Sequence, residues 1–286
     1  MKDLLKLYSF YSVHGTEDET KICDWIVSRL EELGVKYERS GNNIWSFTSH
    51  SKMLLSAHLD QVDTNGPAVH FYKTDKGLIE AYNKDWERTS LGADDKNGVW
   101  LILKMLEKGY GDFDFIISEG EEVGCVGIKA IEEHIKESDA GFAIVLDRKG
   151  NTDILKGGSS DVYCSALATN LKNYLNNLNT VNNYTVTTGS ISDTRVICKY
   201  IESVNMCVNY DSAHSKNETT DWNALQNTLQ NLEAIHDTFI HYPSKPEEYC
   251  VKEYSYKRYS KDYNDDDYEY DLENYYGGYY GKHKRY

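Results

Sequence analysis

Three short apolar runs, residues 53–57, 114–118 and 142–146, each lead into a residue type that binds metal ions: His58, the pair Glu121-Glu122, and Asp147. A short apolar run bounded by turn formers reads as a strand buried on both faces, which belongs in the middle of a sheet covered by helices. Helical periodicity fills the intervals. Ile22, Trp25, Ile26, Leu30 and Leu33 form one stripe, with Gly34 placed to end the helix; Val99, Leu101, Ile102, Met105 and Leu106 form another. Further helices are predicted over 2–11, 128–136, 159–178, 194–199 and 220–241, and further strands over 35–39, 44–48, 184–187 and 203–209. Residues 68–82 are mixed, with a turn at Lys76-Gly77. The alternation predicts an α/β fold with a mixed, largely parallel central sheet flanked by helices. In such sheets ligands bind beyond the carboxyl ends of the strands, so the three strand-end motifs should meet on one edge.

Two more residues fit the same chemistry. Asp94 stands in Leu-Gly-Ala-Asp-Asp-Lys-Asn-Gly, and His214, delivered by the strand near 203–209, stands in Asp-Ser-Ala-His-Ser. Two imidazoles and three carboxylates can hold two divalent ions if one carboxylate bridges; the mixed nitrogen and oxygen donors suit zinc, with cobalt or manganese as alternatives. One partition gives the first ion His58, Asp94 and Asp147, and the second Asp94, Glu122 and His214. Each ion then keeps a position for water or substrate. Asp60, two residues after His58, can orient its ring, and Glu121, beside a ligand, is placed to act as general base on a water activated by both ions. Taken singly, each motif has a bland explanation: a surface loop for His-Leu-Asp, a solvated pair for Glu-Glu, a helix cap for Asp147. Their order along the chain, punctuated by Gly92, Gly98, Gly124 and Gly127, is what a site explains.

Composition narrows the partners. The 286 residues carry a net charge of −15, which disfavours nucleic acid because phosphate binding needs a basic surface. The six cysteines include no C-x-x-C pair and do not resemble a disulfide framework, so a reducing, cytoplasmic setting is expected, with the thiols acting as small buried hydrophobes. No signal peptide or membrane span is expected. Past Pro243 the composition changes: residues 245–286 hold 12 tyrosines, 8 basic and 10 acidic residues and almost no Ile, Leu or Val. The expectation is a catalytic domain over 1–243 and a disordered, low-complexity tail over 244–286.

The motifs Ser-Ala-His-Leu-Asp, Gly-Ala-Asp-Asp-Lys-x-Gly and Glu-Glu-Val-Gly resemble those of the co-catalytic di-zinc exopeptidases, in particular the peptidase T-like and carboxypeptidase G2-like group, over about residues 1–240. The resemblance implies the zinc-exopeptidase fold, supports the ligand roles above, and implies a cis peptide bond between Asp94 and Asp95. Many relatives carry a lid or dimerisation domain between the fourth and fifth ligands. Here only 67 positions separate Asp147 from His214, too few for a further domain of roughly a hundred residues. The chain therefore resembles the lidless, compact zinc aminopeptidases, and a monomer is expected. The loop 189–195 resembles a substrate-side loop of these families, although Asp193 could instead cap the next helix. Glu218, four residues after His214, reads first as a surface residue, with support of the ligand residues as the alternative. The expected activity is hydrolysis of short peptides by an aminopeptidase. The alternatives are an N-acyl amino acid amidohydrolase using the same site, or a non-catalytic binding module.

Overall fold

The structure is a computed structural model that describes residues 1–51, 53–158, 165–178, 183–189 and 192–238. The chain divides into two units, Met1–Cys250 and Val251–Tyr286, and the second lies wholly outside the described residues. The tyrosine-rich tail, the first residues of the helix predicted from 159, and residues 190–191 of the loop singled out above are likewise outside them.

Two helices open the chain, α1 (Lys2–Tyr8) and α2 (Glu17–Glu32). Thr16 accepts the backbone N–H of Glu19, and three acidic residues in the first turn complement the helix dipole. Gly34, at φ +69°, closes the helix in a left-handed conformation that costs glycine little. The chain then runs through β1 (Glu38–Ser40), β2 (Asn43–Ser46), β3 (Met53–His58), β4 (His70–Lys73), β5 (Leu78–Tyr82) and β6 (Arg88–Thr89) to the central helix α3 (Ala93–Glu107). After it come β7 (Asp114–Ser118), α4 (Val126–Ala130), α5 (Glu132–Ile135), β8 (Phe142–Arg148), β9 (Asp153–Gly158), α6 (Ser165–Leu178) and β10 (Thr185–Gly189). The described chain closes with α7 (Thr194–Ile197), β11 (Ser203–Cys207), β12 (Tyr210–Asp211), β13 (Thr219–Asp221) and α8 (Trp222–Thr238).

The main sheet has the order β1-β2-β7-β3-β8-β11-β9-β10. Its centre, β7-β3-β8-β11, is parallel, whereas β1, β2 and β9 pair antiparallel to their inner neighbours. The apolar runs read from the sequence are these central strands, buried on both faces. Period-two alternation divides their side chains. Leu55, Phe115, Ile117, Ile144 and Leu146 face the cluster built with α1, α2, α3 and α8, and Leu54, Ile116, Ala143 and Val145 face a second cluster with Ile128, Ile131, Ile135, Val196 and Ile197. Each of the buried Leu, Ile, Val and Phe side chains contributes roughly 1.5–3 kcal/mol to holding these strands in place.

Residues 68–82, mixed in the sequence, form the hairpin β4–β5 of a second sheet, β12-β13-β5-β4, with β6 also on β5. Its short strands carry weak patterns and depend on neighbours distant in sequence. Between Asp147 and His214 the chain builds β9, α6, β10, α7, β11 and β12; β9, β10 and β11 join the main sheet and β12 the second, so among the described residues no separate lid is present. No described helix is long and apolar enough to cross a membrane.

Candidate metal centre

His58 is the last residue of β3, is 2% exposed, and is held at three points. Its backbone N–H donates to Asp95 Oδ2 at 3.1 Å, and its ring Nδ1 lies 3.0 Å from the Asp60 carbonyl oxygen and 3.4 Å from Asp60 Oδ1. With Nδ1 donating to that carbonyl, Nε2 carries the lone pair and faces the site. The expected orienting contact from Asp60 is thus made chiefly by its backbone. Its carboxylate has another partner set: Oδ1 accepts from Glu121 N at 2.9 Å and Oδ2 from Glu122 N at 3.0 Å. Burial would raise the Asp60 pKa, but the His58 ring and these two N–H groups outweigh it and hold the carboxyl below its usual range. One residue therefore locks the end of β3 to the turn after β7.

Asp94 sits at the mouth of α3, where the Asp94–Asp95 peptide bond is cis and both residues leave helical φ/ψ. Its Oδ1 is 3.4 Å from His58 Nε2, and its Oδ2 is 3.2 Å from His214 Nε2. Asp95 turns inward, accepting from His58 N and, at 3.2 Å, from Gly98 N. Asp147 lies inside β8 rather than just beyond it, since the strand runs to Arg148; its Oδ1 is 3.7 Å from His58 Nε2. Glu122 Oε1 is 2.7 Å from His214 Nε2. The structure thus brings all five predicted ligand residues together, in two groups that share Asp94.

The donor set fits divalent cations. Metal–ligand distances of about 2.0–2.1 Å in a tetrahedral shell put ligand atoms about 3.4 Å apart, and the 3.2, 3.4 and 3.7 Å separations lie around that value. His58 Nε2 and Asp94 Oδ1 are buried without a hydrogen-bond partner, which in a folded protein costs about 1–3 kcal/mol per group unless something fills the gap. Among the described residues no Lys or Arg pairs with Asp94, Asp147, Glu121 or Glu122. Hydrogen bonds donated to Asp94 and Glu122 push His214 up to about 11, and burial, reinforced by the Asp94 charge, pushes Asp147 up to about 7. The His214 shift reports a negative pocket that favours cations, whereas the Asp147 shift reports chiefly its burial. Ligand atoms of His58, Asp95 and Asp147 also lie within 4.8 Å of one another. The oxygens of Asp95, however, are taken by backbone N–H groups, so it supports the site rather than offering a free ligand atom.

Four supporting residues were not settled by their local sequence. Glu218, read first as surface, is fully buried: its Oε2 accepts from Gly92 N at 2.7 Å and Ser90 Oγ at 2.5 Å, and its Oε1 accepts from Asp94 N at 3.1 Å. Lys96 is fully buried, donating to the Phe10 carbonyl at 2.6 Å and to Gln61 Oε1. Asp193 begins α7, yet its side chain makes no cap bond and instead accepts from Ser118 Oγ. Cys125 places its thiol beside Glu121. Only Lys96 had a local signal, being the third residue of Asp-Asp-Lys; the others depend on chain brought in from afar.

No family model matches the chain. The Bacillus subtilis (strain 168) protein YqjE is 29% identical over 154 residues, 47% of this chain, and the chain spans only 40% of that relative's length. Among solved structures, aminopeptidase PepT from Bacillus cereus ATCC 10987 superposes with a TM-score of 0.68 at 17% identity, covering 82% of this chain and 96% of that one. A tripeptidase from Staphylococcus aureus subsp. aureus Mu50 gives 0.65 at 18%, covering 82% and 97%. A Zn-dependent exopeptidase from Parabacteroides distasonis ATCC 8503 gives 0.61 at 17%, covering 82% and 94%. The mixed, largely parallel α/β architecture expected from the sequence is therefore the fold this chain shares with an aminopeptidase, a tripeptidase and a zinc-dependent exopeptidase.

Proposed function

We propose that the chain is a metal-dependent hydrolase, a di-zinc aminopeptidase acting on short peptides. The observation that carries this reading is Asp94, whose two oxygens face the two imidazoles at 3.4 and 3.2 Å, the placement a bridging carboxylate needs. His58, Asp94 and Asp147 would hold one ion, and Asp94, Glu122 and His214 the other. Bound there, two zinc ions would supply Lewis acidity, polarising the scissile carbonyl and acidifying a water.

The chain's own residues do the rest. Glu121 takes the proton from the attacking water and passes it to the leaving amine. Its backbone is pinned by Asp60, and burial, with the Asp147 charge adding, raises its pKa well above the ordinary range; bound cations would lower it again to where the carboxylate accepts a proton. The two ligand groups differ in access: the His58 side chain is 2% exposed and that of His214 44%. Substrate therefore approaches from the His214 side, and the His58 side stays dry and rigid. The names of the structural neighbours, an aminopeptidase and a tripeptidase among them, support peptide as the substrate class.

Metal analysis of the purified protein, combined with aminoacyl-nitroanilides, short peptides and N-acyl amino acids as substrates, tests this. About two zinc ions per chain and turnover of free-amino substrates are expected. Turnover of the acyl substrates alone would replace the aminopeptidase reading with an amidohydrolase.

A further inference from the structure

We propose that Asp193 and Cys125 are positioning residues for the Glu121 carboxylate; the inference rests on the aminopeptidase reading for what Glu121 does. Cys125 has φ +58°, a left-handed conformation uncommon for a residue with a side chain. It lies at the end of a tight turn in which Gly124 N and Cys125 N both donate to the Glu121 carbonyl, at 2.9 and 2.8 Å. That turn folds the thiol back onto Glu121, with Sγ 3.7 Å from Oε1. Behind the thiol stands Asp193, and one polar atom each from Glu121, Cys125 and Asp193 lies within 4.8 Å of the other two.

Asp193 is costly to keep where it is. It is 2% exposed; Oδ2 takes Ser118 Oγ at 2.5 Å, while Oδ1 is buried with no hydrogen-bond partner. It does not serve α7 as a side-chain cap. A buried, half-satisfied carboxylate persists where it has work to do. Here the work is directional. The thiol has one proton to donate, and given to Oε1 it fixes that oxygen and leaves Oε2 for the proton of the water. The Asp193 side chain, with a polar atom within 4.8 Å of both the thiol and the Glu121 carboxyl, packs against them and keeps the thiol in that place. Ser118, at the end of β7, anchors Asp193 to the same rigid strand block that carries His58, because β3 and β7 are paired at His58 and Ser118.

The test uses the full chain with its metals. Cys125→Ala and Asp193→Asn should each lower kcat about tenfold or more, with KM within about twofold and metal content unchanged. Cys125→Ser, which keeps a donor, should stay closer to the parent than Cys125→Ala. Neither change should lower the residual turnover of Glu121→Gln, because groups that act as a unit are not additive. Unchanged kcat in both variants, or losses carried over in full to the Glu121→Gln background, would overturn the proposal. Chemical denaturation reads the cluster without substrate. The effect of Asp193→Asn on the unfolding constant should differ at least about threefold between the parent and Glu121→Gln backgrounds, and equal effects would also overturn it. A protein inactive on every peptide would count against the aminopeptidase reading, and the denaturation cycle would still decide whether these three side chains act together.

Discussion

Glu218 holds Asp94 from behind: its Oε1 accepts the Asp94 backbone N–H at 3.1 Å, while Oε2 accepts Gly92 N at 2.7 Å and Ser90 Oγ at 2.5 Å. Asp94, the proposed bridge, is thus positioned by a residue four places beyond His214, at the other end of the candidate ligand series. Glu218→Ala leaves two buried donors, Asp94 N and Ser90 Oγ, without an acceptor, and Gly92 N with Ser90 Oγ alone. At about 1–3 kcal/mol for each unsatisfied group, even partial relaxation should lower stability by about 2 kcal/mol or more, measurable by urea denaturation. Zinc affinity should fall about 10–100-fold, the usual consequence of losing a group that orients a ligand.

Metal removal should abolish activity and also soften the fold. The pocket gathers four carboxylates with no Lys or Arg partner among the described residues, so stripping bound ions with a chelator leaves their repulsion offset only by the His58 and His214 rings. A ligand present at a hundred times its Kd stabilises by about 2.7 kcal/mol. A Tm several degrees lower after chelation, recovered on adding zinc, is the expected outcome; an unchanged Tm would mean that no ion binds the native pocket.

Glu121→Gln removes the proton carrier and keeps the shape. Metal content should match the parent, and kcat should fall by about 10²–10⁴, read in the same preparation by metal analysis and steady-state kinetics. Activity within about twofold of the parent would exclude Glu121 as general base.

Gly98→Ala tests the close approach of α3 to β8. A Cβ at Gly98 would stand 2.4 Å from the Leu146 carbonyl oxygen and 2.6 Å from Asp95 Oδ1. The backbone cannot yield there without shifting Asp95 and, through it, His58. A loss of about 1–3 kcal/mol, typical of overpacking, is expected together with reduced zinc binding. Gly111→Ala, whose Cβ meets nothing within 4 Å, is the control and should change neither.

The sequence alone was enough for the parallel strand block, for α2 and α3, and for which residues meet at the sheet edge. The reason is local: an uninterrupted apolar run or an apolar stripe has one way to be buried, and β3, β7 and β8 deliver whatever follows them to the same side. His214, expected directly after the strand near 203–209, sits instead between β12 and β13, an antiparallel pair of the second sheet that the sequence did not show. The expected cis bond at Asp94–Asp95 is present, but it followed from resemblance rather than from any periodicity.

What only the tertiary structure decided is how the ligands are held. The sequence left Glu218 between surface and ligand support and Asp193 between substrate-side loop and helix cap, because burial of a charged side chain is set by what packs over it, and their partners lie far along the chain: Asp94 and Ser90 for one, Ser118 and Cys125 for the other. The five-stranded sheet was equally hidden, since its two- to five-residue strands are stabilised by pairing across more than a hundred positions, as between β13 and β5. A chain announces its ligands locally because their chemistry restricts the residue type; it conceals their supports because a hydrogen bond requires only that a suitable donor and acceptor be brought together by the fold.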